Sequence, residues 1–364
     1  MRAAHYWRCV FLPFALVSPL LAAIQPSFRL DHSGWKATHI VLAVTTSADG
    51  TFEVVESWRG NLQPGDRLFI PELRPRNDAG PIPGPTESSE FRLCDPGSDL
   101  IPKQPPGSQV ILFLVGNADQ SNTVPEAKAE IAGWKPSDIM DSMQASVVWV
   151  NSDGLYAFEQ VMNPGLPLLC RLPLTETQAR NRVAEIKEVQ ERLAMATSLE
   201  NSEERAGQLK PFVSSDILQA RLTALSELGK TGPSAVPVIS SMLDDSTFAD
   251  TAPELIDALA KAGGEAAGKE LTRRLQKELR FWRAKGPALK RGWIDKDMSV
   301  HAPLRQRFYV TNELILGLEK NRYTAALTTV TELRDFWHSL PQLNDGFGEF
   351  MGECDKLIRE LRSN

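Results

Sequence analysis

The hydrophobic period of this chain changes near residue 170, and that change limits its possible folds more than any other feature. Up to about residue 165, apolar residues fall in short β-branched runs: Ala37 to Val44, Thr51 to Trp58, Arg67 to Ile70, Gln109 to Val115, Ser146 to Val150 and Leu155 to Val161. These are strand patterns. From Thr175 onward the apolar residues recur at helical spacing, as in Val183, Ile186, Val189 and Leu193. A strand presents alternate residues to one face and a helix every third or fourth, so neither pattern fits the other element. With 364 residues, the chain also exceeds what one simple core serves. The expectation is an α+β multidomain protein, with a β-rich domain over 24–165 and an all-α domain over 174–364.

In the front half, Ser47-Ala48-Asp49-Gly50 joins two strands into a hairpin, and Arg67 to Ile70 adds a third to make a meander. Residues 71–107 hold Pro75, Pro81, Pro83, Pro85, Pro96, Pro102, Pro105 and Pro106. Each lacks an N–H donor, which excludes helix and central strand and predicts a long exposed excursion. Gln109 to Val115 is a continuous apolar run suited to burial on both sides, and Asn151-Ser152-Asp153-Gly154 turns a second hairpin. The order Phe52 to Gly60, Pro64-Gly65-Asp66-Arg67-Leu68, Cys94 and Gly107 to Phe113 resembles exported bacterial domains of the netrin-module or metalloprotease-inhibitor type. The resemblance covers about 37–115 and implies a small OB-like β-barrel. Animal inhibitors of that fold chelate the protease zinc through an N-terminal Cys. Here the first Cys after the N-terminal segment is Cys94, so that route does not carry over.

In the back half, Thr175-Glu176-Thr177-Gln178 has the form of a capping box, with a helix following. Ala224 to Gly229 recurs as Ala258 to Gly263 at an offset of 34, and the partner helices are expected to end at Met242-Leu243 and Arg274-Leu275. Helix pairs of this kind stack, because one pair cannot cover its own apolar face. The turn Gly229 to Pro233 followed by Ala235 to Ile239 resembles a HEAT-type repeat. Three further apolar stripes predict capping helices: Leu304, Phe308, Ile315 and Leu318, then Ala326, Val330, Leu333 and Trp337, then Phe347 to Leu361. As a whole the chain resembles exported bacterial HEAT-repeat-like proteins with an N-terminal netrin-module or OB-like β-domain, a resemblance that implies no activity.

Residues 1–23 have the layout of a cleavable signal peptide: Arg2 and Arg8, an apolar core from Cys9 to Leu21, then Leu21-Ala22-Ala23. At about 13 residues that core is shorter than the roughly 20 a membrane span needs. The mature chain is expected to begin near Ile24, in the periplasm or outside the cell, without a transmembrane anchor. Cleavage removes Arg2 and Arg8 from the 40 basic residues, leaving 38 against 46 acidic and a net charge of −8. That balance argues against nucleic-acid partners, which need a basic surface. Cys94, Cys170 and Cys354 remain, so at most one internal disulfide can form among three possible pairs. Cys94 and Cys170 are the candidate pair.

Motifs for chemistry are sparse. There is no Gly-x-Ser-x-Gly elbow and no phosphate-cradling Gly-rich loop. Asp31, His32 and His39 are too few and too dispersed for a zinc site, so no metal and no cofactor is expected. The most distinctive chemical feature is Lys269 to Trp293, with nine basic residues against only Glu270 and Glu278. Within it Arg273, Arg280, Trp282, Arg283, Lys290, Arg291 and Trp293 are the candidate binding residues, for an unknown protein or an anionic cell-envelope component. The preferred alternative is an amphipathic helix whose cations meet acidic neighbours near Asp244 and Asp245. The functional expectation is a non-catalytic exported binding or scaffold protein using a helical-repeat surface, not an enzyme. The competing one is a metal-dependent hydrolase or protease inhibitor acting through the β-domain loops.

Overall fold

The structure, a computed structural model, describes residues 28–46, 50–70, 91–93, 106–115, 135–136, 147–160, 167–289, 298–340 and 348–363. Residues 1–23, read above as a signal peptide, lie outside these residues, as do Cys94, Lys290, Arg291 and Trp293. The chain divides into two compact units, one ending at Glu191 and one continuing from Arg192 to its end. The change from strand to helix falls between Arg171 and Glu176, but the units divide twenty residues on, inside a helix.

In the first unit, β1 (His39–Thr45), β2 (Thr51–Arg59) and β3 (Arg67–Phe69) form the expected meander. β4 (Phe91–Leu93), β5 (Gln109–Val115), β6 (Lys135–Pro136), β7 (Val147–Asn151), β8 (Gly154–Gln160) and β9 (Pro167–Arg171) complete one sheet. Its order is β3-β2-β1-β5-β7-β8-β9-β4, with β6 beside β5, and every pairing is antiparallel. Three of these strands, β4, β6 and β9, were not expected from the sequence. β4 lies within the Pro-rich excursion and β9 lies where an interdomain boundary was expected, both short and dependent on ladder partners for their strand form. β3 and β4 stand at the two edges of the sheet. Among the described residues no ladder joins those two edges, so the strands form an open path instead of an OB-like barrel.

β5 is central, and Val110 to Leu114 are each at most 1% exposed. Alternate residues serve two cores, as the pleat requires. Val110, Leu112 and Leu114 join Phe52, Val54, Leu68, Trp149 and Tyr156 on one face. Ile111 and Phe113 join Ile40, Val148, Leu155, Ala179 and Val183 on the other. The second face is covered by α1 (Leu30–Lys36) and α2 (Glu176–Ser198). Thr175 and Gln178 form the expected capping box: the Thr175 amide donates to Gln178 Oε1 at 2.7 Å and the Gln178 amide to Thr175 Oγ1 at 3.3 Å. The helix α1, which carries His32, is held from outside. Asp31 takes two hydrogen bonds from Arg182 at 2.7 Å, and Gln190 Nε2 donates to the Trp35 carbonyl at 2.8 Å.

The second unit contains α3 (Ser202–Val213), α4 (Leu218–Lys230), α5 (Val236–Leu243), α6 (Ala252–Ala262), α7 (Gly264–Lys285), α8 (Met298–Asn321), α9 (Leu327–His338) and α10 (Gly348–Ser363). They pack in two layers: α3, α5, α7 and α9 in one, and α4, α6, α8 and α10 in the other, each helix touching the next of its own layer. The similar segments Ala224 to Gly229 and Ala258 to Gly263 lie in neighbouring helices of the second layer. They cross closely, since a Cβ on Gly229 would stand 2.9 Å from Lys261 Cβ. α5 ends at Leu243 as expected, but α7 runs on past Leu275 to Lys285 because no breaker comes before Gly286-Pro287. The extension carries Trp282 into a cluster with Phe308 of α8, Trp337 of α9 and Phe350 of α10, with ring centroids 5.1–6.3 Å apart.

Candidate functional site

The helix α7 lies between α5 and α9 in its layer, and its packing against its neighbours determines which of its many ions face water. Leu271, Leu275, Leu279 and Trp282 form the buried stripe. Trp282 is fully buried, and its indole N–H donates to Thr311 Oγ1 at 2.9 Å. It therefore cannot stack on a ligand, which corrects its place among the candidate binding residues. Large aromatic area drives this burial, and the indole N–H finds its partner inside the core.

The two acids of the stretch also turn inward. Glu270, with its side chain 12% exposed, accepts from Arg273 through two nitrogens at 2.7 Å, from Arg274 at 2.7 Å and from Ser240 at 2.5 Å. Burial works against this carboxylate, but the hydrogen bonds from Arg273 and Ser240 and the charges of Arg274 and Arg273 outweigh it, so its pKa is held down at about 2. Arg274 is itself buried and also donates to the Ser240 and Leu243 carbonyls, tying α7 to the end of α5. Glu278, 10% exposed, takes two bonds from Arg307 of α8, whose guanidinium lies 3.5 Å over the Phe281 ring.

The cations divide between paired and open positions. Arg273 lies 3.7 Å from Asp244 and Arg274 3.1 Å, so the acidic neighbour named from the sequence does meet this helix. Arg283 meets Glu332 of α9 at 2.9 Å and Lys269 meets Glu265 at 2.6 Å. Lys277, Arg280 and Lys285 are exposed and make no ion pair among the described residues. Arg274 was not among the candidates, although it is the most deeply placed of the described cations of the stretch. Its i+4 relation to Glu270 was the signal available.

The sheet unit holds a cleft of about 790 Å³ lined by the β7–β8 turn and the segment from Arg171 to Gln178. Tyr156 donates to Asp153 Oδ2 at 2.6 Å, and Arg171 donates to the Asp153 carbonyl. The Asp31, His32 and His39 set does not form a metal centre. Asp31 is committed to Arg182, and the His39 ring is bonded to Asn61 Oδ1 at 2.7 Å and to Thr38 Oγ1 at 2.9 Å. Burial and the charge of Arg59 lower the His39 pKa against the opposing Asn61 bond. Among the described residues no three metal-ligating side chains converge. None of their helices is long and apolar enough to cross a membrane. Comparison with protein-family models, with curated proteins and with solved structures finds no match for the chain.

Proposed function

We propose that this is an exported, non-catalytic binding or scaffold protein whose helical unit, a HEAT-like repeat array, offers its surface to a protein partner in the periplasm or outside the cell. The observation that supports this reading is the division of charge on α7. The inward-turned acids and their arginine partners join neighbouring helices, while Lys277, Arg280 and Lys285 stand exposed and make no ion pair among the described residues. Stacked helices are suited to such a role because each adds a strip of outward surface without its own core.

Two measurements test the proposal. Expression of the full chain with a C-terminal tag should place it in the envelope fraction or medium, with a mature N-terminus near Ile24. The purified mature chain should be inert against panels of hydrolase substrates and metalloproteases while binding a protein partner through the helical unit. Turnover that is abolished by Asp153→Asn in the cleft, or inhibition of a metalloprotease, would favour the hydrolase or inhibitor reading and end this one.

A further inference from the structure

The outward face of α7 carries charge of one sign over most of its length. After Glu265 in the first turn, every exposed charged residue is a cation: Lys269, Arg273, Lys277, Arg280, Arg283 and Lys285. From Lys269 to Arg283 they are spaced three or four residues apart, which sets them on one side of the helix. At about 1.5 Å of rise per residue, that gives a cation every 4.5–6 Å over roughly 21 Å. Neighbouring acids neutralise Lys269, Arg273 and Arg283, while Lys277 and Arg280 in the middle of the row meet no acid among the described residues.

We propose that this row docks an acidic polypeptide segment of a partner protein, centred on Lys277 and Arg280. The inference rests on the reading of the chain as a binding module and names the chemistry of its partner. Three features select a narrow acidic peptide over a nucleic acid, an acidic polysaccharide or an anionic membrane. The positive strip is one helix wide and is flanked by half-exposed Asp244 on one side and Glu332 on the other, which repel a broad, uniformly charged surface. The chain as a whole is acidic, with 46 acidic against 40 basic residues. A partner helix bearing a carboxylate at every third or fourth position repeats the same 4.5–6 Å interval, about one acid per cation, and the Arg280 guanidinium matches a carboxylate through two N–H groups.

The test uses the mature chain and a fluorescently labelled Glu/Ala helix of about 20 residues, long enough to cover the row. Anisotropy should report binding that weakens as salt rises, as exposed ion pairs require. Lys277→Glu/Arg280→Glu should weaken it by roughly 10-fold or more, and Lys277→Gln/Arg280→Gln by less. A control with the same change of charge elsewhere, Lys187→Glu/Lys230→Glu, should stay within about 2-fold. No peptide binding at low salt, or equal losses in the reversal and the control, would overturn the proposal. So would tighter binding to heparin or to phosphatidylglycerol vesicles than to the peptide. Peptide binding together with substrate turnover would remove the non-catalytic reading and leave the docking row standing. Capture of a partner that is indifferent to Lys277 and Arg280 would do the reverse.

Discussion

Replacing Glu270 with Gln tests the ion cluster that joins α5 to α7. The substitution keeps the shape of the side chain and removes the charge that Arg273, Arg274 and Ser240 address. The carboxyl titrates at about 2 in the folded protein against 4.5 ordinarily. At about 1.36 kcal/mol for each unit of pKa, that difference is worth roughly 3 kcal/mol. Half-exposed Asp244, 3.1 Å from Arg274, takes over part of the lost attraction, so the expected loss near neutral pH is about 2 kcal/mol. The pH dependence follows from the direction of the shift. A carboxyl with a lowered folded pKa binds more protons when unfolded, so its contribution is present above about pH 5 and is lost as pH falls toward about 2. Urea unfolding followed by tryptophan fluorescence should therefore show Glu270→Gln well below the wild type near pH 7 and close to it near pH 2.5. A difference under about 0.5 kcal/mol at neutral pH, or one that does not shrink on acidification, would refute the reasoning.

Other substitutions probe the cores and the turns. Trp282→Leu should destabilise the helical unit by about 3 kcal/mol in the same unfolding assay, and Thr311→Val, which strands the indole N–H, by about 1 kcal/mol. Wild-type midpoints in both would contradict the burial of Trp282. Gly60 has φ of +94° and a Cβ there would fall 2.1 Å from the His39 ring. Gly60→Ala should accordingly cost about 2 kcal/mol or more and disturb the His39 resonances in NMR spectra. The Cys354 thiol is fully buried, and burial pushes its pKa up to about 12. Alkylation mapped by mass spectrometry should find it unmodified in the native protein and labelled in denaturant, and rapid native labelling would show the packing of α10 to be wrong.

The strands β1, β2, β3, β5, β7 and β8 were legible because each has its own apolar run and a turn signal beside it. The apolar stripes of α8, α9 and α10 were legible for the same reason, and so was the capping box at Thr175. The elements that escaped have little local signal. Leu30 to Lys36 carries no apolar stripe and is helical because Arg182 and Gln190, some 150 residues away in the chain, bond to it. The strand Phe91–Leu93 exists only as a partner of β9.

In the candidate site the excess of cations on α7 was visible from composition, but the facing of each was not. Trp282 and Arg274 look like their neighbours in the sequence, and only the packing of α5, α8 and α9 turns them inward. The amino-acid sequence by itself determined which segments could be strand or helix and where one class gives way to the other, because hydrophobic period is a local property. Tertiary structure alone decided the strand order, the open edges of the sheet and the division of α7 into buried pairs and exposed cations. Those depend on contacts between residues far apart in the chain, where the free energy of a charge is set by what is packed against it.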